Sequence, residues 1–201
     1  LNSLGTHSPL FIQAGNFKEF VDCLMVFNTM KSLKGTNVAI VAEENHQIEE
    51  ALQAGETFGF SVPKLREPAA VKIKSLMPTT GLNYENPIET RSAYCQRGWE
   101  VPILEILGEE KNIDLILIQK EFDSDESLIQ DFIESMSDIQ ANTTKQVIAI
   151  QSEARKTEYD STEIRLRLRT QSQLCSNGIP CFDSFHHAFS ILNKVRLVFN
   201  D

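Results

Sequence analysis

The sequence contains no long hydrophobic segment. None of its 201 residues belongs to an apolar run of about 18 residues, the length that a membrane-spanning helix needs. The first residues also lack the basic region and following hydrophobic stretch that mark a secretory signal. We therefore expect a cytoplasmic protein with no membrane partner.

Positive charge is scarce. The chain has 19 Lys and Arg residues against 28 Asp and Glu residues, which gives a formal net charge of -9. This balance disfavours the basic surface that binds nucleic acids or anionic membranes, so we expect no nucleic-acid partner. With 41% hydrophobic residues, the chain can bury the core of one large domain or two small ones.

Cysteine is scarce as well. The four cysteines are Cys23, Cys95, Cys175 and Cys181. Even the last two have a spacing that matches no usual zinc site, and reduced, buried thiols are favoured over disulfides. We therefore expect no metal site. The chain begins with LNSLGTHS rather than with Met, and we expect a fragment or subunit of a larger protein.

Several catalytic motifs are absent. The sequence has no G-x-S-x-G elbow, no G-x-x-x-x-G-K-[ST] loop, no G-x-G-x-x-G turn and no H-x-x-x-H pair. These absences argue against an α/β-hydrolase, a P-loop nucleotidase, a dinucleotide-binding domain and a metalloprotease. No catalytic residue follows from a motif.

The sequence does contain alternating apolar strands and amphipathic helices. Asn37 to Ala42 and Ile113 to Gln119 are short, nearly continuous apolar runs, which are buried best in a parallel sheet covered on both faces. We therefore predict an α/β fold with a doubly wound, five-stranded parallel sheet in the order 2-1-3-4-5. The remaining strands are expected at Phe60 to Val62, Val147 to Ile150 and Gly178 to Phe182. Helices are expected at about residues 17–33, 46–57, 67–76, 100–110, 126–139, 160–175 and 184–198.

One of these helices has an alternative. Ile164, Leu166 and Leu168 alternate with arginines, a pattern that also suits an amphipathic strand. We favour a helix, because a crossover is needed before the last strand.

An extra helix is predicted before the sheet. Residues 1–34 form an N-terminal segment with this helix, and residues 35–201 form the α/β domain. Asn16 and Glu19 have the spacing of a capping box at its start. Its apolar positions, at helical spacing, are expected to pack against the domain. They are Phe17, Phe20, Val21, Leu24, Phe27 and Met30.

The turn after the first strand is the natural ligand site, because strand ends and helix N-termini meet there. Here it reads Glu43, Glu44, Asn45, His46, with two carboxylates and no glycine. Such a turn should repel a phosphate.

Six segments together resemble one family. FIQAGNFKEFVDCL, KGTNVAIVAEE, ENPIE, NIDLILIQ, TKQVIAI and GIPCFDSFHHAFSIL occur in the order seen in the ADP-forming acyl-CoA synthetases, relatives of succinyl-CoA synthetase. They resemble the second, flavodoxin-like domain of the CoA-ligase subunit.

The resemblance implies a reaction of acyl-CoA, ADP and phosphate to acid, CoA and ATP through a phosphohistidine. CoA and ADP or ATP with magnesium would serve the complete enzyme, with none held by this chain alone. CoA-binding and ATP-grasp domains or subunits would be its partners, in an oligomer.

The resemblance also assigns site residues. The family's glycine-rich turn, which receives the phosphate, corresponds to Glu43, Glu44, Asn45 and His46 of this chain. Asn86 and Pro87 match the family's N-P-[IV]-D crevice motif, although Glu89 replaces the Asp; alternatively, they only shape a turn.

Two further residues are candidate catalytic groups. His7 lies in a segment similar to the family's S-H-T-G, and Glu121 is similar to a glutamate that orients the phosphohistidine; a solvated loop residue is the alternative for Glu121. We interpret His46 as a solvent-facing helix-start residue, and His186 and His187 as ordinary helix positions.

Two functions follow. The chain is either part of a working acid-thiol ligase or a structural or regulatory interaction domain that keeps the fold. In both cases the isolated chain should be inactive. We expect Glu43 and Glu44 to occupy the region that a phosphate takes in active relatives.

Overall fold

The computed structural model describes residues 12–77, 83–91, 98, 100–121, 126–151 and 161–199. Its helices are α1 (Phe17–Thr29), α2 (Asn45–Phe58), α3 (Glu67–Leu76), α4 (Glu100–Glu109), α5 (Glu126–Asn142), α6 (Ser161–Ser176) and α7 (Phe185–Phe199). Its strands are β1 (Val38–Ala42), β2 (Ile88–Glu89), β3 (Leu115–Gln119), β4 (Gln146–Ile150) and β5 (Cys181–Phe182). None of the helices in these ranges is long and apolar enough to cross a membrane.

The five strands form one parallel sheet in the order β2-β1-β3-β4-β5. Every residue of β1, β3 and β4 is buried, because helices cover both faces. Along β1, Val38 and Ile40 contact the layer of α1, α2 and α7, while Ala39 and Val41 face the layer of α3, α4 and α5. The predicted α/β class, strand order and doubly covered sheet are confirmed. Residues 161–176 are helical, as favoured.

The prediction of the second strand was wrong. Within Phe60 to Val62, Ser61 makes only one bridge, to Asn37, and the second strand is Ile88–Glu89 instead. Pro63 follows at once, and proline has no N–H with which to continue a ladder. Two residues inside a loop carry too little pattern to predict a strand.

Asn86 bonds the part of β1 that has no strand partner on this side, between the Ser61 bridge and β2. Its Oδ1 accepts a 2.9 Å hydrogen bond from the Ile40 N–H, and its Nδ2 donates to the carbonyls of Val38 at 2.8 Å and Pro63 at 2.9 Å. One side-chain amide thus takes the place of a strand peptide between the Ser61 bridge and β2. The buried main chain of β1 is satisfied without a longer edge strand.

The prediction for α1 was only half right. Asn16 caps the helix, with its Oδ1 accepting a 2.9 Å bond from the Glu19 N–H, and Met30 is buried. The other predicted core positions are exposed instead. They are Phe17, Phe20, Val21, Leu24 and Phe27.

Polar contacts explain which side of α1 faces the domain. The Asp22 carboxylate lies 2.6 Å from His187 Nε2 of α7, and Glu19 lies 2.6 Å from Lys194 Nζ of the same helix. These pairs direct Cys23 and Val26 inward, and helical geometry then turns the aromatic positions outward.

We predict that Asn86→Ala lowers the free energy of unfolding by about 2 to 4 kcal/mol, because it leaves a buried N–H and a buried carbonyl of β1 without partners. Urea unfolding measures the loss. Asn83→Ala is the control, since Asn83 makes an exposed bond to the Glu85 N–H and should lose less than about 1 kcal/mol. Equal losses for the two variants would contradict the role assigned to Asn86.

Candidate functional site

The candidate site lies at the carboxyl ends of β1 and β3. These strands pair in parallel, so the residues that follow them meet at the same end of the sheet, here called the strand edge. They are Glu43 after β1, and Lys120 and Glu121 after β3. The N-terminus of α2 begins at the same edge, one residue beyond Glu44. Ligands of open α/β sheets bind at such edges, where neighbouring strands lead to opposite sides of the sheet.

Glu43 turns into this edge. It is 3% exposed, and its Oε2 accepts a 3.0 Å hydrogen bond from the Glu121 N–H. Its Oε1 lies 3.8 Å from Lys120 Nζ, and its own N–H donates to Gln119 Oε1 at 3.1 Å. Burial raises the pKa of Glu43, and this effect outweighs the lowering by the Glu121 bond and by Lys120. The carboxyl group therefore occupies the space between the two strand ends.

Gln47 ties the turn to the end of β3. Its Oε1 accepts a 2.9 Å bond from the Glu44 N–H, and its Nε2 donates to Glu121 Oε1 at 3.2 Å. Because one side chain joins the N-cap residue of α2 to Glu121 beyond the end of β3, the two sides of the edge are held together.

The rest of the turn faces away from the edge. Glu44, Asn45 and His46 are exposed. Glu44 Oε2 lies 3.0 Å from His46 Nδ1, and Asn45 Nδ2 donates to Glu49 Oε1 at 2.9 Å. Of the two carboxylates expected to fill the edge, Glu43 does so, while the side chain of Glu44 remains at the surface.

Glu100 adds a further buried carboxylate. It begins α4, is buried, and its Oε1 lies 4.0 Å from Lys120 Nζ. Its Oε2 is one of two buried side-chain oxygens in the described ranges that accept no hydrogen bond. Lys120 is therefore within 4 Å of both Glu43 and Glu100, and one ammonium group serves two carboxylates.

This arrangement does not fit a phosphate. The N–H groups of Glu43, Glu44 and Glu121 are all engaged by protein oxygens, and Arg91 Nε is held 2.7 Å from Glu89 Oε1. A phosphate about 4 Å from an ionised carboxylate would also be disfavoured by several kcal/mol at an effective dielectric near 20. Nor do the described residues offer a metal site, since no three His, Cys, Asp or Glu side chains among them lie close enough together to hold a metal ion.

The other predicted site residues lie at different places in the structure. Asn86 and Pro87 lie beside β1, where the Asn86 amide is fully occupied by main-chain groups. Glu121 lies at the edge itself, exposed but bonded to Gln47. His7 lies outside the described residues, so its predicted role is untested.

Four residues of this edge were missed by sequence reasoning. They are Gln47, Glu100, Gln119 and Lys120. Gln47 stands three residues after the N-cap, a capping-box spacing that offered a signal. No local pattern shows that Glu100 is buried, because that depends on where α4 meets the end of β3.

Comparisons with known proteins support the fold. No protein-family model and no curated protein matches the chain. The structure is similar to PH0766 from Pyrococcus horikoshii OT3, with a TM-score of 0.74 and 15% identity over 92% of this chain and 40% of that one.

A second similar fold is the dinucleotide forming acetyl-coenzyme A synthetase 1 of Ca. Korarchaeum cryptofilum. Its apo form has a TM-score of 0.70 and 12% identity over 92% of this chain and 38% of that one. Its complex with phosphate and ADP gives 0.71 and 11%, with the same coverage. The chain thus spans about two fifths of the length of these proteins, and at these identities the likeness shows the fold alone.

The raised pKa of Glu43 makes a testable prediction. An acid with a higher pKa when folded binds more protons in the folded state, so stability falls as pH rises from the ordinary value of 4.5 through the raised one. Glu43→Gln removes the buried charge but keeps an acceptor for the Glu121 N–H. The variant should therefore gain stability relative to wild type as the pH rises from about 4 to about 8.

Urea unfolding at a series of pH values measures this difference. Glu44→Gln is the matched control, since that side chain is 61% exposed and its charge stays hydrated in both states. If Glu43→Gln instead loses stability relative to wild type as the pH rises, attraction by Lys120 outweighs burial.

Proposed function

We propose that this chain is one domain of an acyl-CoA synthetase-like protein, and that it serves as a structural or regulatory interaction domain that does not bind phosphate. The observation that carries the proposal is the Glu43 carboxyl group, buried between β1 and β3 and bonded to the Glu121 N–H. The family is supported by the six ordered segments and by the similarity to an acetyl-coenzyme A synthetase fold.

The charge at the edge supports the loss of phosphate binding. An anion site needs unpaired N–H groups in the turn and at the start of the helix, and here protein oxygens already engage those of Glu43, Glu44 and Gln47. Glu43 and Glu100 face Lys120, so the ammonium that would attract an anion is already neutralised. Chemistry on CoA, ADP or ATP would then belong to CoA-binding and ATP-grasp partners.

A working ligase domain is the second candidate. Glu121 favours it, because it lies just beyond β3, after Lys120, as the orienting glutamate of the resembled family would, and Gln47 donates a hydrogen bond to its carboxylate. In that case the domain would take part in acyl-CoA, ADP and phosphate conversion with its partners. Glu43 would have to leave the edge before any phosphate entered, and its hydrogen bond from the Glu121 N–H opposes that movement.

We predict that the wild-type chain gives no binding heat with inorganic phosphate at low salt. Glu43→Gln with Glu44→Gln removes the two charges but keeps the volume of the side chains. Glu43→Gly with Glu44→Gly removes the charges and the side chains together. Affinity should therefore rise from wild type to the Gln pair and further to the Gly pair. Isothermal titration calorimetry measures it. Saturable phosphate binding by wild type, abolished by Lys120→Met, would support the ligase candidate instead.

A labelling experiment tests catalysis directly. The chain is incubated with magnesium and γ-labelled ATP, or with acyl-CoA, ADP and labelled phosphate, and analysed for an acid-labile phosphohistidine. We expect no label, because the histidines of this chain lack the surroundings found in the resembled family. Stable labelling that disappears on replacing one of four histidines would make the chain catalytic. These are His7, His46, His186 and His187.

A further inference from the structure

The outer face of α1 is apolar and exposed. Its five large side chains, here called the α1 stripe, are Phe17, Phe20, Val21, Leu24 and Phe27, with exposed fractions of 79%, 50%, 44%, 51% and 38%. The stripe continues onto the end of α7, where the ring of Phe199 lies 5.2 Å from that of Phe27. Contiguous apolar surfaces of this kind mark interaction sites.

The opposite face of α1 packs on the domain and is mixed, since Cys23, Val26 and Met30 are buried there together with Asp22. The apolar face of an amphipathic helix is normally buried, so the exposed α1 stripe calls for a partner. The charged residues of the helix leave the stripe itself uncharged, because they are paired on the other side of α1. Glu19 and Asp22 pair with Lys194 and His187 of α7, and Lys18 pairs with Asp22 and Asp183. A partner for this face therefore needs to be apolar and uncharged at its centre.

The spacing of the stripe is symmetric. Phe17, Phe20, Leu24 and Phe27 are separated by three, four and three residues, so the pattern reads the same in both directions. An antiparallel second copy of α1 would place Phe17 against Phe27 of the other chain and Phe20 against its Leu24. Val21 would lie beside the two-fold axis. This self-complementarity is what a closed, two-fold interface requires.

The area is sufficient for a weak dimer. With about 200 Å² for a whole aromatic side chain, the exposed part of the stripe amounts to roughly 500 Å² in each copy. Two copies would bury about 1,000 Å², which is near the lower limit for a specific interface. Interfaces at this end of the size range are typical of weak, transient association.

We infer that α1 is a homodimerisation helix, and that the α1 stripe packs antiparallel against the same stripe of a second copy. This inference does not depend on the proposed function, because it uses neither the strand edge nor its carboxylates. It also explains the outward direction of aromatic residues that the sequence pattern assigns to a core.

Sedimentation equilibrium of the 201-residue chain at a series of concentrations tests the association. Wild type should pass from monomer to dimer. Phe20→Glu with Leu24→Glu places two charges at the centre of the interface and should weaken association at least about 100-fold. The matched control is Val71→Glu with Leu168→Glu, which adds the same charge at two side chains that are 60% exposed on α3 and α6. It should leave association unchanged.

Cysteine cross-linking tests the orientation without changing charge. Under mild oxidation, a mixture of Phe17→Cys and Phe27→Cys chains should form mixed disulfide dimers, while each variant alone should not exceed wild type, whose own cysteines set the background. A chain that stays monomeric at every concentration, or a dimer unaffected by the Phe20 and Leu24 charges, would overturn the inference. Cross-linking of each variant with itself would overturn the antiparallel arrangement.

Discussion

The parallel pairing of β1 with β3, buried on both faces, determines the rest of the structure. The pairing requires continuous apolar strands, since neither strand has a solvent face, and it requires helical crossovers, since parallel neighbours cannot be joined by a tight turn. It also brings the two carboxyl ends together. Glu43 and Glu121, 78 residues apart in the chain, are therefore joined by a hydrogen bond.

A second constraint follows from the first, because buried main-chain groups need partners. Side chains supply them at two places around β1. Asn86 replaces a strand peptide at the outer edge, and the side chains of Gln47 and Gln119 accept from N–H groups of the turn. Each bond stabilises a loop and also removes a donor from any incoming ligand. The turn is thus satisfied by its own side chains, and its lack of glycine is consistent with that closed arrangement.

The sequence allowed prediction of the elements whose pattern is long enough to be unambiguous. The apolar runs of β1 and β3 and the periodicity of α2, α3 and α5 are of this kind. It did not allow prediction of β2, because Ile88 and Glu89 are a pair of residues inside a loop. Their pairing with β1 depends on the position of Asn86, whose side chain bonds the main chain of β1 just before them. The inward direction of Glu43 was expected, but the burial of Glu100 depends on the meeting of α4 with β3, which no local pattern contains.

The orientation of α1 shows a different limit. Periodicity identifies the more apolar face of an amphipathic helix and predicts that this face lies inward, but in α1 the inward face is the one that carries the charged residues. The choice then falls to a few charges, and the pairs that Glu19 and Asp22 make with α7 decide it. Consequently the face of α1 left exposed is the one with the larger aromatic side chains, and it lies on a different part of the domain from the strand edge that Glu43 closes.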